Sequence, residues 1–394
     1  MTFEEIKALD HQYVMQSYGR FDVAVDHGRG ATLWDTQGRE YIDFTSGIGV
    51  CSLGYADEGW VNAITEQAGK LGHISNLFYA EPYVKAAEKL CRKAGMSNVF
   101  FANSGAESNE GLIKLARKYS FDKYGKGRGT IITLHKSFHG RTITTLQATG
   151  QDVFHQYFFP FTEGFRYADA NDLDSVKAQA DDTTCAVMLE LIQGEGGVLP
   201  LDKDFIQALA AWCQENDYLL LVDEVQTGVG RTGSLFCFQQ YDIQPDAVTF
   251  AKGIAGGLPM AGVMCSEKCR NVLGPGTHAT TFGGNPIAAA GANVVLDELD
   301  DAMLAEVNQK GEYLKSAIAA FDSPYVDTVR GMGLMIGIVL KEGVDRSALV
   351  KALYDHNLLV LTAGPKTIRL LPPLVISQEE MDTGLAALKD VLVP

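Results

Sequence analysis

Residues 219–228 read Leu-Leu-Leu-Val-Asp-Glu-Val-Gln-Thr-Gly. Four apolar residues in succession, rather than in alternation, describe a strand buried on both faces. Such strands belong to parallel sheets covered by helices. The run then delivers two carboxylates, Asp223 and Glu224, at the strand's carboxyl end, which is where open parallel sheets bind ligands. A carboxylate placed there can take up a proton at a heterocyclic nitrogen; an acidic surface turn is the plainer alternative.

Outward from this stretch, short β-rich runs alternate with longer amphipathic ones. Residues 99–102, 130–134, 186–191, 218–222 and 247–250 read as strands. A helix after Ala106 carries Leu112, Ile113, Ala116 and Tyr119 on one face, and 203–216 repeats the spacing with Phe205, Ile206, Leu209, Ala210 and Cys213. The pattern predicts an α/β fold with a mainly parallel sheet. Beyond residue 285 it changes to helices over 286–299 and 303–321, then short strands and Pro-Pro. With 394 residues, the expected organisation is a large domain over 56–285 and a smaller α+β domain built from 1–55 and 286–394.

Composition narrows the partners. The 33 basic and 49 acidic residues give a formal charge of −16. Such a surface repels nucleic acid and anionic lipid, so an anionic ligand needs a specific local cationic site. No apolar run approaches a membrane span, the acidic opening has no signal-like apolar region, and the seven cysteines form no CxxC pair. A reducing cytoplasm is the expected setting.

Several motifs follow the strands. At 103–110, Asn-Ser-Gly-Ala-Glu-Ser-Asn-Glu opens a helix; its free N–H groups suit an anion, and an ordinary cap is the competing reading. At 135–142, His135 and His139 are four apart, but without a helix or an accompanying carboxylate, so no metal is expected. In the same stretch Phe138 can stack on a flat ring and Arg141 can bind a carboxylate bidentately. Gly228–Gly233 matches G-x-G-x-x-G. It neither directly follows a strand nor opens a helix, which argues against a dinucleotide site and leaves an NAD-dependent oxidoreductase as the reading from a different class. Lys252 follows an apolar run and precedes a glycine-rich loop, where a confined amine can form an imine; a solvated strand end is the plainer reading of the lysine alone. Thr280 and Thr281 precede Gly-Gly and suit phosphate, or a plain turn.

Taken in order, these elements resemble the class III (omega-amino acid) aminotransferases, nearly end to end. The resemblance includes Leu33-Trp34-Asp35, Tyr41-Ile42-Asp43-Phe44, Gln193-Gly194-Glu195-Gly196-Gly197 and Arg369-Leu370-Leu371-Pro372-Pro373. Residues 73–79 and 137–142 are most similar to the branch acting on N2-acetyl-L-ornithine. Two departures stand out: Tyr55-Ala56-Asp57-Glu58-Gly59 replaces a His-x-His-Pro stretch, and Ala106 stands where the family often has Thr.

The resemblance implies the type I pyridoxal-phosphate fold, a homodimer, and transfer of the terminal amine of N2-acetyl-L-ornithine to 2-oxoglutarate, giving N-acetyl-L-glutamate 5-semialdehyde and L-glutamate in arginine biosynthesis. Ornithine, succinylornithine, 4-aminobutyrate and the lysine-pathway donor are alternatives. It implies Lys252 as the covalent anchor of pyridoxal 5'-phosphate and Asp223 as the partner of its ring nitrogen. Gly105, Ala106 and, from the neighbouring subunit, Thr281 would hold its phosphate. Phe138 and Val225 would flank the ring, Gln226 would reach its hydroxyl, and Glu224 would lie close by. Arg141, Thr280, Glu195 and Arg369 would serve the substrates, with Glu195 masking Arg369 while the donor is bound.

Overall fold

The computed structural model describes residues 1–393. Its centre is a seven-stranded sheet in the order Asn98–Ala102, Ala261–Cys265, Ala247–Phe250, Leu219–Asp223, Thr184–Leu189, Thr130–Leu134, Phe165–Ala168. Ala261–Cys265 runs antiparallel to both neighbours, and the remaining pairs are parallel. The sheet is thus mainly parallel, as its apolar strands predict.

Alternation along each strand builds two cores. Ile131, Ala186, Met188, Leu219, Leu221 and Ala247 face the helix Gly105–Tyr124, which contributes Leu112, Ile113, Leu115 and Ala116. The intervening Ile132, Val187, Leu189, Leu220, Val222 and Val248 face the other way, onto Phe205, Ile206 and Leu209 of the helix Lys203–Glu215. Every strand residue from Leu219 to Asp223 is buried.

The two ends of the chain meet. An antiparallel meander of Val25–Arg29, Thr32–Asp35 and Glu40–Asp43 is completed by Leu358–Leu359, which pairs parallel with Glu40–Asp43. A second antiparallel sheet, in the order Val326–Met332, Met335–Leu340, Thr367–Leu370, Leu361–Ala363, packs with the helices Asp301–Ala319 and Arg346–Asp355, and the helix Gln378–Leu392 packs on these two helices and on the strands Glu40–Asp43 and Leu358–Leu359. The helix Pro286–Glu298 lies with the large-sheet elements instead, against the helices Glu58–Lys70 and Glu81–Ala94. Gly256 and Gly291 make this contact possible, since a Cβ on either would come within 2.7 Å of the Trp60 indole nitrogen. That nitrogen donates to the Ala255 carbonyl at 2.9 Å.

The G-x-G-x-x-G stretch forms turns, not a strand-to-helix junction. Its glycines serve packing: Gly230 and Gly233 have φ of +82° and +86°, and a Cβ on Gly233 would meet Asn308 at 2.0 Å. Between them Arg231, nearly inaccessible, donates to the carbonyls of Leu334 and Pro372 at 3.0 and 2.5 Å, fastening this turn to the antiparallel sheet. Burial pulls its guanidinium down to about 9, with Asp43 opposing.

Phe250 links core to site. It is fully buried, sits edge-on to Phe101 at 6.3 Å, and ends the strand that leads to Lys252. Phe250→Ala should cost about 3–5 kcal/mol, the usual range for emptying a buried aromatic site. Urea unfolding followed by tryptophan fluorescence should show a lower midpoint with an unchanged slope.

Candidate active site

The carboxyl ends of the parallel strands open into a cavity of about 440 Å³, lined by residues from six separate parts of the chain, among them Gly105, Arg141, Glu190, Asp223 and Lys252. Each arrives there for a local reason.

At the first, the strand Asn98–Ala102 ends and the helix Gly105–Tyr124 begins. Ser104 and Glu107 form a capping box: the Glu107 N–H donates to Ser104 Oγ at 3.3 Å and the Ser104 N–H to Glu107 Oε2 at 3.0 Å. The cap reading is therefore correct, and the anion reading survives beside it. The N–H groups of Gly105 and Ala106, at the first two helical positions, have no acceptor among the described residues, and both line the cavity. Gly105 is obligatory, because a Cβ would lie 2.7 Å from Val225 Cγ1.

At the second, Asp223 is almost wholly buried, with both oxygens engaged. Oδ2 accepts from Asn109 Nδ2 at 2.7 Å and is 2.8 Å from His139 Nδ1. Oδ1 accepts from the Val225 N–H at 3.0 Å and from Thr249 Oγ1 at 3.4 Å. Beside a carboxylate, Nδ1 must carry the imidazole proton, and His139 Nε2 is left buried without a partner. Asn109 and Thr249 are neighbours that the motif reading did not single out, and His139, weighed there only as a metal ligand, is instead a partner of Asp223.

Glu224 does not belong to the cavity, contrary to expectation. Chain alternation turns it the opposite way from Asp223. Its carboxylate accepts from Thr227 Oγ1 and from the N–H groups of Cys237 and Phe238 at 2.7–2.8 Å, and burial raises it to about 7. It fixes the turn that follows the strand.

Lys252 opens a short 3₁₀ turn with φ of +44°, an uncommon conformation for a residue with a Cβ. Gly253 allows the turn to press on the N-terminal segment, since a Cβ there would lie 2.3 Å from Ser52 Oγ. Burial pushes the Lys252 amine down to about 8; Glu195 opposes this and Arg369 adds to it.

Glu195 and Arg369, far apart in sequence, form an ion pair of 2.6 Å beside the cavity. Arg369 Nη1 also donates to Gln226 Oε1 at 3.0 Å, while Gln226 Nε2 makes only a long 3.4 Å contact with Glu195. Burial would raise the Glu195 carboxyl, but the Arg369 guanidinium carries it below the ordinary glutamate value. Arg369 Nε is buried with no acceptor among the described residues. Arg141 lines the cavity, lies over the Phe154 ring at 4.4 Å and has no carboxylate partner among the described residues.

Thr280 and Thr281 stand outside this cavity. Thr280 Oγ1 accepts from Asn103 Nδ2 and the Gly283 N–H, and Thr281 lines a small hollow with His73, Asn76 and Phe282. Glu190 was missed by motif reading, because a strand drawn over 186–191 places it inside the sheet. The strand ends at Leu189, so Glu190 reaches the cavity beside Asp223.

A flat cationic heterocycle carrying a phosphate fits this donor set. The phosphate would meet the free N–H groups of Gly105 and Ala106, the ring nitrogen the Asp223 carboxylate, and an aldehyde the buried amine. In the cofactor-free chain, amine-selective labelling of Lys252 should rise with pH through a midpoint near 8, because only the deprotonated amine reacts. Lys7 and Lys85, held above the ordinary lysine value by Asp22 and Glu81, should follow only at higher pH. Peptide-resolved mass spectrometry across pH 6–11 reads both; a Lys252 midpoint near 10.5 would contradict the burial.

Comparison with known proteins agrees with this chemistry. The model of the family described as aminotransferase class-III matches residues 13–392. An acetylornithine aminotransferase of Haemophilus ducreyi is 50% identical over 100% of this chain and 99% of its own. A solved N-acetylornithine aminotransferase of Stenotrophomonas maltophilia has a TM-score of 0.84 at 38% identity, covering 98% of this chain and 97% of its own. The ornithine aminotransferase of Toxoplasma gondii, whose structure has PLP at partial occupancy in its active site, has a TM-score of 0.95 at 30% identity, covering 100% and 94%. The helix-covered, mainly parallel sheet is thus that of the type I aminotransferase fold, and the chain belongs to the pyridoxal-phosphate-dependent class III aminotransferase family.

Proposed function

We propose that this enzyme transfers the terminal amine of N2-acetyl-L-ornithine to 2-oxoglutarate, giving N-acetyl-L-glutamate 5-semialdehyde and L-glutamate. The observation that carries this reading is the Glu195–Arg369 pair beside a cavity that also presents an unpaired Arg141. The acetylornithine aminotransferases at 41–50% identity over nearly the full chain support the choice of donor.

Pyridoxal phosphate, when bound, supplies an electron sink for charge developing on the substrate carbon. The chain's own residues do the rest. Gly105 and Ala106 would hold the phosphate, Phe138 and Val225 would flank the ring, and Asp223, fixed by His139 and Asn109, would keep a proton on the ring nitrogen. Gln226 Nε2, only weakly engaged in the protein, is left to donate to the ring hydroxyl. Lys252 would anchor the group, and its amine is placed to move a proton at the reacting carbon.

The two amino acids pose a selectivity problem. The donor reacts far from its α-carboxylate, and glutamate reacts beside its own. Arg141 holds the donor's α-carboxylate and, in the second half-reaction, the side-chain carboxylate of glutamate. Arg369 binds the α-carboxylate of glutamate alone. While the donor is present, Glu195 neutralises Arg369, since an unpaired buried cation against an apolar methylene chain is costly. Thr280 and Thr281, outside this chain's cavity, belong to the site of a second copy in a homodimer. Exposed Leu77, Tyr79 and Phe282 supply apolar surface for that contact. A cytoplasmic setting, with all seven cysteines free, completes the reading.

Sedimentation should give twice the chain mass of 42.7 kDa. Glu195→Gln should slow the acetylornithine half-reaction by tenfold or more, while the glutamate half-reaction is kept or improved. Single-turnover absorbance changes with each amino acid decide it. An equal fall in both would show that Glu195 is not a gate.

A further inference from the structure

Glu190 is a second buried carboxylate at the cavity, and the chemistry above leaves it unused. It follows the strand Thr184–Leu189, and Leu189 pairs with Val222, so Glu190 and Asp223 emerge side by side from adjacent parallel strands. Only 5% of Glu190 is exposed. Unlike Glu224, whose oxygens close a remote turn, Glu190 reaches across to two different loops. Oε2 accepts from the Phe138 N–H at 2.9 Å and Oε1 from the Gly194 N–H at 3.3 Å. The first loop carries Phe138, His139 and Arg141; the second carries Glu195.

These loops also touch away from the cavity. Gln193 Nε2 donates to the His135 carbonyl at 2.8 Å, and Gly196 packs so closely that a Cβ would lie 2.6 Å from the Lys136 carbonyl. Glu190 is the tie on the cavity side. We propose that Glu190 is a positioning residue that fixes the Arg141 loop and the Glu195 loop relative to each other, and so determines how the site divides its reactivity between a terminal amine and glutamate. This rests on the two-arginine reading above.

The physical case is one of acceptor count. Two N–H donors converge on one side chain, and only a carboxylate offers an acceptor oxygen to each. An amide satisfies one donor and sets its own NH2 against the other, and an unsatisfied buried donor is expensive. Burial raises the Glu190 carboxyl to about 7, with His139 lowering it and Asp223 raising it. Glu190 in turn is one of the groups that holds the Lys252 amine up. The protein therefore keeps a carboxyl here despite the cost of burying it, because an apolar residue would leave the Phe138 and Gly194 N–H groups without an acceptor.

The test is Glu190→Gln, read in two ways. Hydrogen exchange of the cofactor-free chain should quicken at least fivefold in segments 134–142 and 190–198 and stay unchanged in the strand Ala261–Cys265. In the loaded enzyme, the ratio of the acetylornithine to the glutamate half-reaction rate should fall at least fivefold. Should this variant not accumulate, Glu190→Asp, which keeps the charge but withdraws both oxygens by one methylene, carries the same test. A ratio within twofold of wild type, or unchanged exchange in both loops, overturns the proposal. If the wild-type enzyme does not accept acetylornithine, the donor assignment has failed instead, and the ratio is read with whichever terminal amine it does accept.

Discussion

The site depends on one buried carboxylate. Asp223 stands at the end of the central strand, and its oxygens draw in His139 from one loop, Asn109 from the first long helix and Thr249 from the adjacent strand. A carboxylate removed from water is tolerated only when its lone pairs are occupied. Satisfying Asp223 therefore fixes the relative positions of the helix whose first turn offers free N–H groups, the loop bearing Phe138 and Arg141, and the strand leading to Lys252.

Around that anchor the protein keeps several arrangements that an inert core would not hold. Lys252 adopts a positive φ, its amine is pushed toward neutrality, Arg369 has an orphaned Nε, and Glu190 rises to about 7. Strain and perturbed ionisation concentrate where chemistry needs them. The stability that supports them comes from elsewhere, chiefly from the two apolar layers pressed on either face of the sheet. Glycines do the remaining work of approach: Gly105 under Val225 and Gly253 under Ser52 leave room that any Cβ would fill.

Much of this was legible in the sequence. Runs such as Leu219–Asp223 announce strands buried on both faces, since no polar alternation interrupts them. The stretch at 103–110 marks a helix start, because capping is a local interaction among a few consecutive residues. The order of Gly105, Arg141, Asp223 and Lys252 along the chain, together with the resemblance it carries, pointed to the family. Glu224 and Glu190 were read less well. Both are carboxylates at the end of apolar strands, and their fates depend on where the strand stops and which way its last residue turns. A shift of two residues in the end of one strand separates a sheet residue from a cavity residue.

The sequence by itself determined the local terms: strand and helix periodicity, helix caps and a net acidic charge. Tertiary structure alone decided which charges meet. Arg369 finds Glu195 across 174 positions because an antiparallel sheet from the end of the chain is laid beside the strand ends of the parallel one. It also decided that Asp223 faces the cavity while Glu224 faces the core, and that Thr280 and Thr281 stand outside it. The reason is physical: periodicity is encoded in neighbouring residues, whereas the pairing of buried charges depends on distances that exist only once the layers have packed.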